Sequence, residues 1–387
     1  AEVPFDVLIG ALGVAIVLEV TRRAVGLPLP LLATFFLLYA AFGSRLPDWL
    51  FPHRGYSLER IVAQTFLHSQ GVFGIALKVM FSYVFLFVVF GALLEATGAI
   101  QFIIGLTRRF FRGSPGGASK VAVIASGFMG SLSGSAVANA ATTGTFTIPL
   151  RKSSGFPPHV AAGITAAASS GGALVPPVMG AGAYMMLEII DPPVTFLQIM
   201  RAAILPAVLF YLALFLIVHF YSKRVGAAAG TDDATADYRF QFEGVVFSAA
   251  LGTLIVFLVQ GFTIFRAVTL AIGVVLLLSS FHPRTRIGLK RMLVALVSAA
   301  RGGIALICAS ACVGIILGVV TLTGVGTKFP SAILALSGES LLLALVLIMV
   351  GSIVLGMGLP SAVCYLLMAT LIGSVLNRLE VIPLAAH

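Results

Sequence analysis

Between Gly130 and Gly144 the sequence reads GSLSGSAVANAATTG, where Ser131, Ser133, Ser135, Asn139, Thr142 and Thr143 interrupt an otherwise small and apolar segment. These side chains offer neutral oxygens rather than charges. Two helix ends meeting at Ser133 to Ser135 would leave free carbonyls and hydroxyls in an apolar medium, at a cost of several kcal/mol per unsatisfied group. Such groups persist where they line a cavity or hold an ion. The alternative is small-residue helix packing, with Ser and Thr bonding across the interface. Packing alone, however, does not need a Gly-Ser break in mid-segment.

A second break follows at Ser169 to Met179, SSGGALVPPVM. Pro176 and Pro177 lack amide donors and cannot continue a regular helix, and Gly171 and Gly172 loosen the turn before them. A simple proline kink is the competing reading of this stretch taken alone. A third break, GMGLPS, spans Gly356 to Ser361 and contains Gly358 and Pro360. Every Asp and Glu lies at the end of an apolar run or in a loop, which argues against a proton relay of the usual carboxylate kind. A cation would have to be held by carbonyl and hydroxyl oxygens, which suits Na⁺. The chemistry of a hydrolase is missing: Ser133 lacks the flanking Gly spacing of a nucleophile elbow and has no intramembrane His as base. A phosphate-binding GxxxxGK[ST] loop is missing too, so the chain does not itself hydrolyse ATP.

The elements that must position these residues follow from composition. Of 387 residues, 59% are hydrophobic and 10% charged, with a mean hydropathy of +1.09. Soluble domains carry about 25% charged residues. A soluble enzyme, a disordered chain and a disulfide scaffold are excluded together. Apolar runs near the roughly 20 residues needed to cross a bilayer recur throughout. The fold class is an all-α polytopic membrane protein with spans at 5–20, 29–42, 72–94, 160–189, 199–221, 245–260, 262–280 and 293–322. The stretch Ser57 to Ser69 has the spacing of a helix lying at the membrane surface. Lys78 and Arg301 lie inside apolar runs within reach of an interface, where snorkelling explains them. The three cysteines, Cys308, Cys312 and Cys364, sit in apolar runs without metal-ligand spacing.

The net charge of +10 could suggest nucleic acid. Its placement in clusters between apolar runs is instead the positive-inside pattern. With Arg22 and Arg23 cytoplasmic, Arg108, Arg109, Arg112 and Lys120 fall on the same side, as do Arg151, Lys152, Lys223, Arg224, Arg284, Arg286, Lys290 and Arg291. The segment Val121 to Leu150 therefore leaves and returns to one side. Its arms of about 15 residues reach roughly 23 Å, short of the ~30 Å hydrocarbon core. It reads as a re-entrant hairpin with its tip near mid-membrane.

The chain also repeats itself. Gly74-Ile75-Ala76-Leu77 recurs as Gly303-Ile304-Ala305-Leu306 and Thr97-Gly98 as Thr323-Gly324. The shift of the second pair carries Gly130 onto Gly356 and Ser135-Ala136-Val137 onto Ser361-Ala362-Val363. The charge rule sends the two copies through the membrane in opposite directions, the inverted-repeat architecture of secondary transporters. The expected organisation is 1–71, N-terminal spans and surface helix; 72–225, first repeat with hairpin 121–150 and broken helix 160–189; 226–291, linker and scaffold spans; and 292–387, second repeat with its tip at 356–361. The two hairpin tips are expected to serve one mid-membrane site.

The strings GSLSGSAVANAATTGTFTIPLRKSSGFPP, AAASSGGALVPPVMGAGAYMM and LGMGLPSAVCYLLMA resemble the large membrane subunit of tripartite ATP-independent periplasmic (TRAP) transporters. The lead-in TRRAVGLPLPLLATFFLLYAAFG, followed by HRGYSLERIV, resembles the variant with fused small and large subunits, which pairs with a TAXI-class binding protein. The resemblance implies an elevator-type, Na⁺-driven importer of organic acids in a bacterial or archaeal cytoplasmic membrane, supplied by a soluble periplasmic binding protein. Besides lipid it implies no other partner, no cofactor apart from Na⁺ as coupling ion, and no enzymatic activity. It maps substrate and ion binding onto Ser133, Gly134, Ser135 and Asn139, onto Gly171, Gly172, Pro176 and Pro177, and onto Gly356, Gly358, Pro360 and Ser361; the polar pattern of the first tip adds Ser131 and Thr142 to the expected site. Na⁺ is expected at Ser133, Gly134, Ser135, Gly356 and Ser361. The family continues past the position of His387 to a second broken helix, so the expectation is either that this chain is a fragment or that half of the ion site is missing. Two other readings stay open on the residues: an anion carrier without a binding protein, and a non-transporting membrane scaffold.

Overall fold

The computed structural model describes residues 4–48, 51–111, 116–227, 242–337, 340–356, 359 and 361–387. Among the described residues every regular element is helical. In chain order these are α1 (Pro4–Ala24), α2 (Pro28–Phe42), α3 (Leu58–Val62), α4 (Ile75–Val79), α5 (Phe85–Ala96), α6 (Ala99–Phe110), α7 (Gly117–Ser133), α8 (Ala136–Ser153) and α9 (Pro158–Gly171). There follow α10 (Ala181–Ile189), α11 (Phe196–Arg224), α12 (Phe242–Val259), α13 (Ile264–Ser279), α14 (Leu289–Thr323), α15 (Val325–Ser337), α16 (Leu341–Gly356), α17 (Ser361–Arg378) and the short α18 (Pro383–Ala386). A π-helical turn, Met80–Val84, joins α4 to α5, so Ile75–Ala96 runs as one helical span.

Six described helical segments are long and apolar enough to cross a membrane: Pro4–Ala24, Pro28–Arg45, Ile75–Ala96, Phe196–Arg224, Phe242–Val259 and Leu289–Thr323. Their ends carry local signals. Pro28 opens α2 with its φ already set for helix. Arg22 and Arg23 close α1, where cations meet the free carbonyls, and both bond Glu19 at 2.7 Å. Thr195 and Gln198 form a reciprocal cap at the start of α11. Lys223 and Arg224 end it.

The chain forms two compact units. The first comprises 1–82, 184–194 and 303–387. Its spine is the second part of α14. Thr21 Oγ1 of α1 donates to Cys308 O at 2.9 Å, and Gly314 and Gly318 let the Thr65–Val72 backbone lie against the helix. Lys78, expected to snorkel, is largely exposed and pairs with Glu188 at 3.0 Å. The reason is that α10 brings a carboxylate beside the start of α4. The loop after α2 is tied to α15 by Lys328 Nζ donating to Pro52 O at 3.1 Å and by the Phe51 and Phe329 rings.

The second unit, 83–183 with 195–302, carries the first hairpin, and α9 with the break that follows it. Arms α7 and α8, of 17 and 18 residues, pack side by side. They are about 26–27 Å long, short of the ~30 Å hydrocarbon core as expected. Around α9 and α11 lies a core of Val123, Phe156, Ala161, Ile164, Ala168, Leu214 and Val218. With lipid tails as apolar as these side chains, close packing of small residues, not the hydrophobic effect, holds the helices together.

Two helices were absent from the expected spans. α6 and α15, of 12 and 13 residues, are too short for a bilayer crossing. Both follow a left-handed glycine, Gly98 and Gly324, at the repeated Thr-Gly pair. In both places a helix, a left-handed glycine and a short helix follow one another in that order.

Candidate functional site

The tip of the first hairpin is built by Gly134. It adopts φ +59°, a left-handed conformation that stops α7, and its amide donates to Gly130 O at 2.9 Å. Ser135 then restarts the chain as N-cap of α8, its Oγ accepting the Ala138 N–H at 3.3 Å. The break expected at this point is therefore present. Ser133 is the last residue of α7.

The second break is equally definite. α9 ends at Gly171, one tight turn covers Gly172–Leu174, and Val175 is extended. Pro176 and Pro177 follow, and α10 begins only at Ala181. The linker is held by Gly180 N donating to Ala173 O at 2.7 Å.

Tip and break touch. A Cβ at Gly134 would overlap the Met179 carbonyl, and one at Gly130 would overlap Gly172. Gly172 in turn faces the Asn139 amide, whose Nδ2 would lie 2.7 Å from a Cβ built there. Only glycine allows this approach. Asn139 is fully buried and donates from Nδ2 to Ser126 O at 2.8 Å, which fixes the orientation of its amide. Its Oδ1 is buried and finds no partner among the described residues. Beside it, Ser126 Oγ donates to Thr143 Oγ1 at 3.2 Å, and Thr143 donates to Asn139 O at 2.7 Å.

The expected site residues therefore divide. Gly134, Ser135, Asn139, Gly171, Gly172, Pro176 and Pro177 all belong to the tip or to the break that packs against it. Ser131 and Thr142 return their hydroxyls to their own helices, donating to Phe128 O at 2.7 Å and Ala138 O at 2.5 Å. Each keeps only acceptor capacity. In the other unit, Gly356 ends α16 and Ser361, exposed, begins α17; Gly358 and Pro360 lie outside the described residues. The arms of that second hairpin border a cavity of about 250 Å³ lined by Ser352, Cys364, Tyr365 and His387, with Tyr365 Oη 2.8 Å from His387 Nδ1.

Sequence reasoning missed Ser126 and Gly180 and took Ser169 and Met179 only as the bounds of the second break; their roles arise only when tip and break meet. The sequence groups Arg151 with the cytoplasmic basic cluster and does not disclose its burial. The guanidinium is fully buried against α9, while Lys152, about 100° further round the helix, is exposed. Among the described residues no three His, Cys, Asp or Glu side chains gather as metal ligands would. The oxygens at the tip are neutral, and what they can offer is a dipolar seat for a weakly demanding cation.

Among the described residues, apolar helices long enough to cross a membrane accompany a helical hairpin seated on an interrupted helix, the architecture of a multi-pass membrane protein. The family model described as the tripartite ATP-independent periplasmic transporter, DctM component, matches residues 12–387, and the chain belongs to that family. It is 25% identical over 170 residues to a Haemophilus influenzae protein named as a TRAP transporter large permease, covering 44% of this chain and 39% of that one. It is 35% identical over 117 residues to the 2,3-diketo-L-gulonate TRAP transporter large permease protein YiaN of Escherichia coli, 30% of this chain and 25% of that one. These stretches span well under half of either relative. In fold the chain is similar to the crystal structure of the Alcanivorax borkumensis YdaH transporter, described as having an unusual topology. The TM-score is 0.55 and the identity 15%, over 92% of this chain and 84% of that one.

Proposed function

We propose that this permease subunit imports an organic acid by Na⁺ coupling, working as an elevator-type carrier in a bacterial or archaeal cytoplasmic membrane. A periplasmic binding protein of the TAXI type delivers the carboxylate. Na⁺ sits at the first hairpin tip, served by oxygens of Ser133, Gly134 and Ser135, with Gly356 and Ser361 of the other hairpin supplying a further set. The observation that carries the reading is Asn139 Oδ1. It is a buried neutral acceptor with no described partner, placed where the tip meets the broken helix. An unpaired buried carbonyl costs about 1–3 kcal/mol unless something binds it, and a cation is the ligand that an acceptor-only oxygen lacks. The E. coli relative is named for a sugar acid, in keeping with a carboxylate substrate.

The test is uptake of organic acids into vesicles holding the full transporter with its binding protein, under separate Na⁺ and proton gradients. Uptake follows the Na⁺ gradient, and Asn139→Ala or a bulky apolar residue at Ser135 or Ser361 raises the Na⁺ concentration needed. These changes leave binding-protein docking intact. Uptake that persists without Na⁺ and collapses with the proton gradient would overturn the proposal.

A further inference from the structure

The buried face of α8 carries a polar stripe that starts at Asn139, where the coupling ion is proposed, and continues away from the tip through residues that ion coupling does not use. Asn139, Thr143, Thr147 and Arg151 recur every fourth residue, and none is more than 1% exposed. Thr165 and Ser169 face this region from α9 and are likewise buried. Some of the polar atoms are satisfied. Arg151 Nη1 donates to Ala161 O at 3.0 Å and to the Thr165 hydroxyl, and Thr143 bonds Ser126 and Asn139. Others have no partner among the described residues: Asn139 Oδ1, Thr147 Oγ1, Ser169 Oγ, and both Nε and Nη2 of Arg151.

Native interiors do not leave so many polar atoms unpaired on one interface; with Asn139 Oδ1 reserved for the cation, ordered water is the partner open to the others. The spacing suits it. Four residues of helix rise about 6 Å, which one water bridges with two hydrogen bonds of about 2.8–3.0 Å. From Asn139 to Arg151 the stripe is about 18 Å long, most of the length of the arm. At its far end stands a guanidinium that stays protonated and has no carboxylate among its described partners.

We propose that this face of the hairpin is a hydrated seam, a file of ordered waters running from the tip to the hairpin base, and that Arg151 is the fixed charge barring cations from it. The seam rests on the reading that the tip holds the coupling cation. Water along α8 rehydrates that ion, while the guanidinium prevents its escape without substrate. A cation within 4 Å of a fixed unit charge is disfavoured by about a thousandfold at the effective dielectric of a protein site. Removing the charge while leaving the water opens a leak.

The experiment measures substrate-free entry of radioactive Na⁺ into vesicles containing the full transporter, alongside a cryo-electron map that resolves water. Arg151→Met leaks at least tenfold faster than the unmodified protein, Arg151→Lys stays within about twofold of it, and Thr147→Val added to Arg151→Met restores tightness. The map shows water between Thr147 and the Nε and Nη2 edge of Arg151. A dry seam, with those atoms bonded to protein, overturns the proposal, as does an Arg151→Met protein that still performs coupled uptake and is as tight as the original. Should Arg151→Met not assemble, Arg151→Gln carries the same expectation. Coupling to protons instead of Na⁺ would sink the proposed function but not the seam, because the Arg151→Met leak admits any small cation.

Discussion

Replacing Gly134 by alanine tests the contact on which the candidate site depends. Two costs combine. A left-handed backbone is disfavoured for a residue with a Cβ by about 1–2 kcal/mol, and Gly134 sits at φ +59°. The new methyl would also overlap the Met179 carbonyl, with Met179 C at 3.2 Å and Gly180 Cα at 3.7 Å. Those atoms are backbone, not the end of a flexible side chain, so relief requires tip and break to separate, at about 1–3 kcal/mol. The total is roughly 2–5 kcal/mol. Gly163→Ala is the matched control: it lies in α9, is exposed, and a Cβ there meets nothing within 4 Å. Helix propensity makes that change stabilising by about 0.5–1 kcal/mol. In purified full-length transporter, Gly134→Ala lowers the apparent melting temperature and cuts uptake at least tenfold, while Gly163→Ala does neither. Equal melting and uptake for Gly134→Ala and the original protein would mean that the tip does not rest on the broken-helix linker.

Cysteines introduced singly into a cysteine-free background place Lys152 and Gly226 on the cytoplasmic side and Asp191 and Asn377 on the periplasmic side; Gly113, expected to be cytoplasmic, lies outside the described residues. Impermeant reagents reaching 152 only from the periplasm would remove the re-entrant hairpin. His53, in the loop after α2, accepts the Gly55 N–H on Nδ1 at 3.2 Å and places Nε2 3.1 Å from Tyr39 O, so the ring is neutral with its proton on Nε2. Burial, opposed in part by that carbonyl and aided by Lys328, holds its pKa below the ordinary histidine value. Its contribution to stability is therefore complete above about pH 6.5 and is lost as the pH falls through the depressed folded value. Melting followed from about pH 8 to about pH 5 shows this loss, and His53→Gln reduces it; an unchanged slope in the variant would assign the pH dependence elsewhere.

Much of this fold is written in local sequence. Gly134 next to Ser135 states a C-cap followed by an N-cap, and the proline pair after Gly171-Gly172 states a helix that cannot continue. Both breaks fall where those residues sit because capping and missing amides act over a few residues of chain. What sequence did not disclose is lateral. Nothing in the string says that Gly130 lies against Gly172, or that Ser126 receives the Asn139 amide, since these contacts depend on how arms and broken helix are packed. Arg151 was unreadable for a related reason. Adjacent to Lys152 in a basic cluster, it looks like a topology signal, and only the rotation of α8 decides which of the two faces water. The short helices α6 and α15 escaped because a search for bilayer-length apolar runs passes over segments of 12 and 13 residues.

A seat made of neutral oxygens gains its affinity from how many dipoles converge and how closely, because no single ligand brings a full charge. The glycines are then as much a part of the site as the oxygens. Gly130 and Gly172 set the distance between hairpin and broken helix, and Asn139 has its amide nitrogen against Gly172 and bonded to Ser126 O, which aims Oδ1. A hydroxyl lost from the rim removes one dipole, whereas a methyl gained at Gly172 displaces the Asn139 amide and the Gly130 backbone together. On the proposed seam, close packing at the tip and hydration along the arm would be two consequences of one choice of residues. Filling the stripe with apolar side chains would remove its unpaired polar atoms, and the hairpin would then offer a cation neither a seat nor water on leaving it.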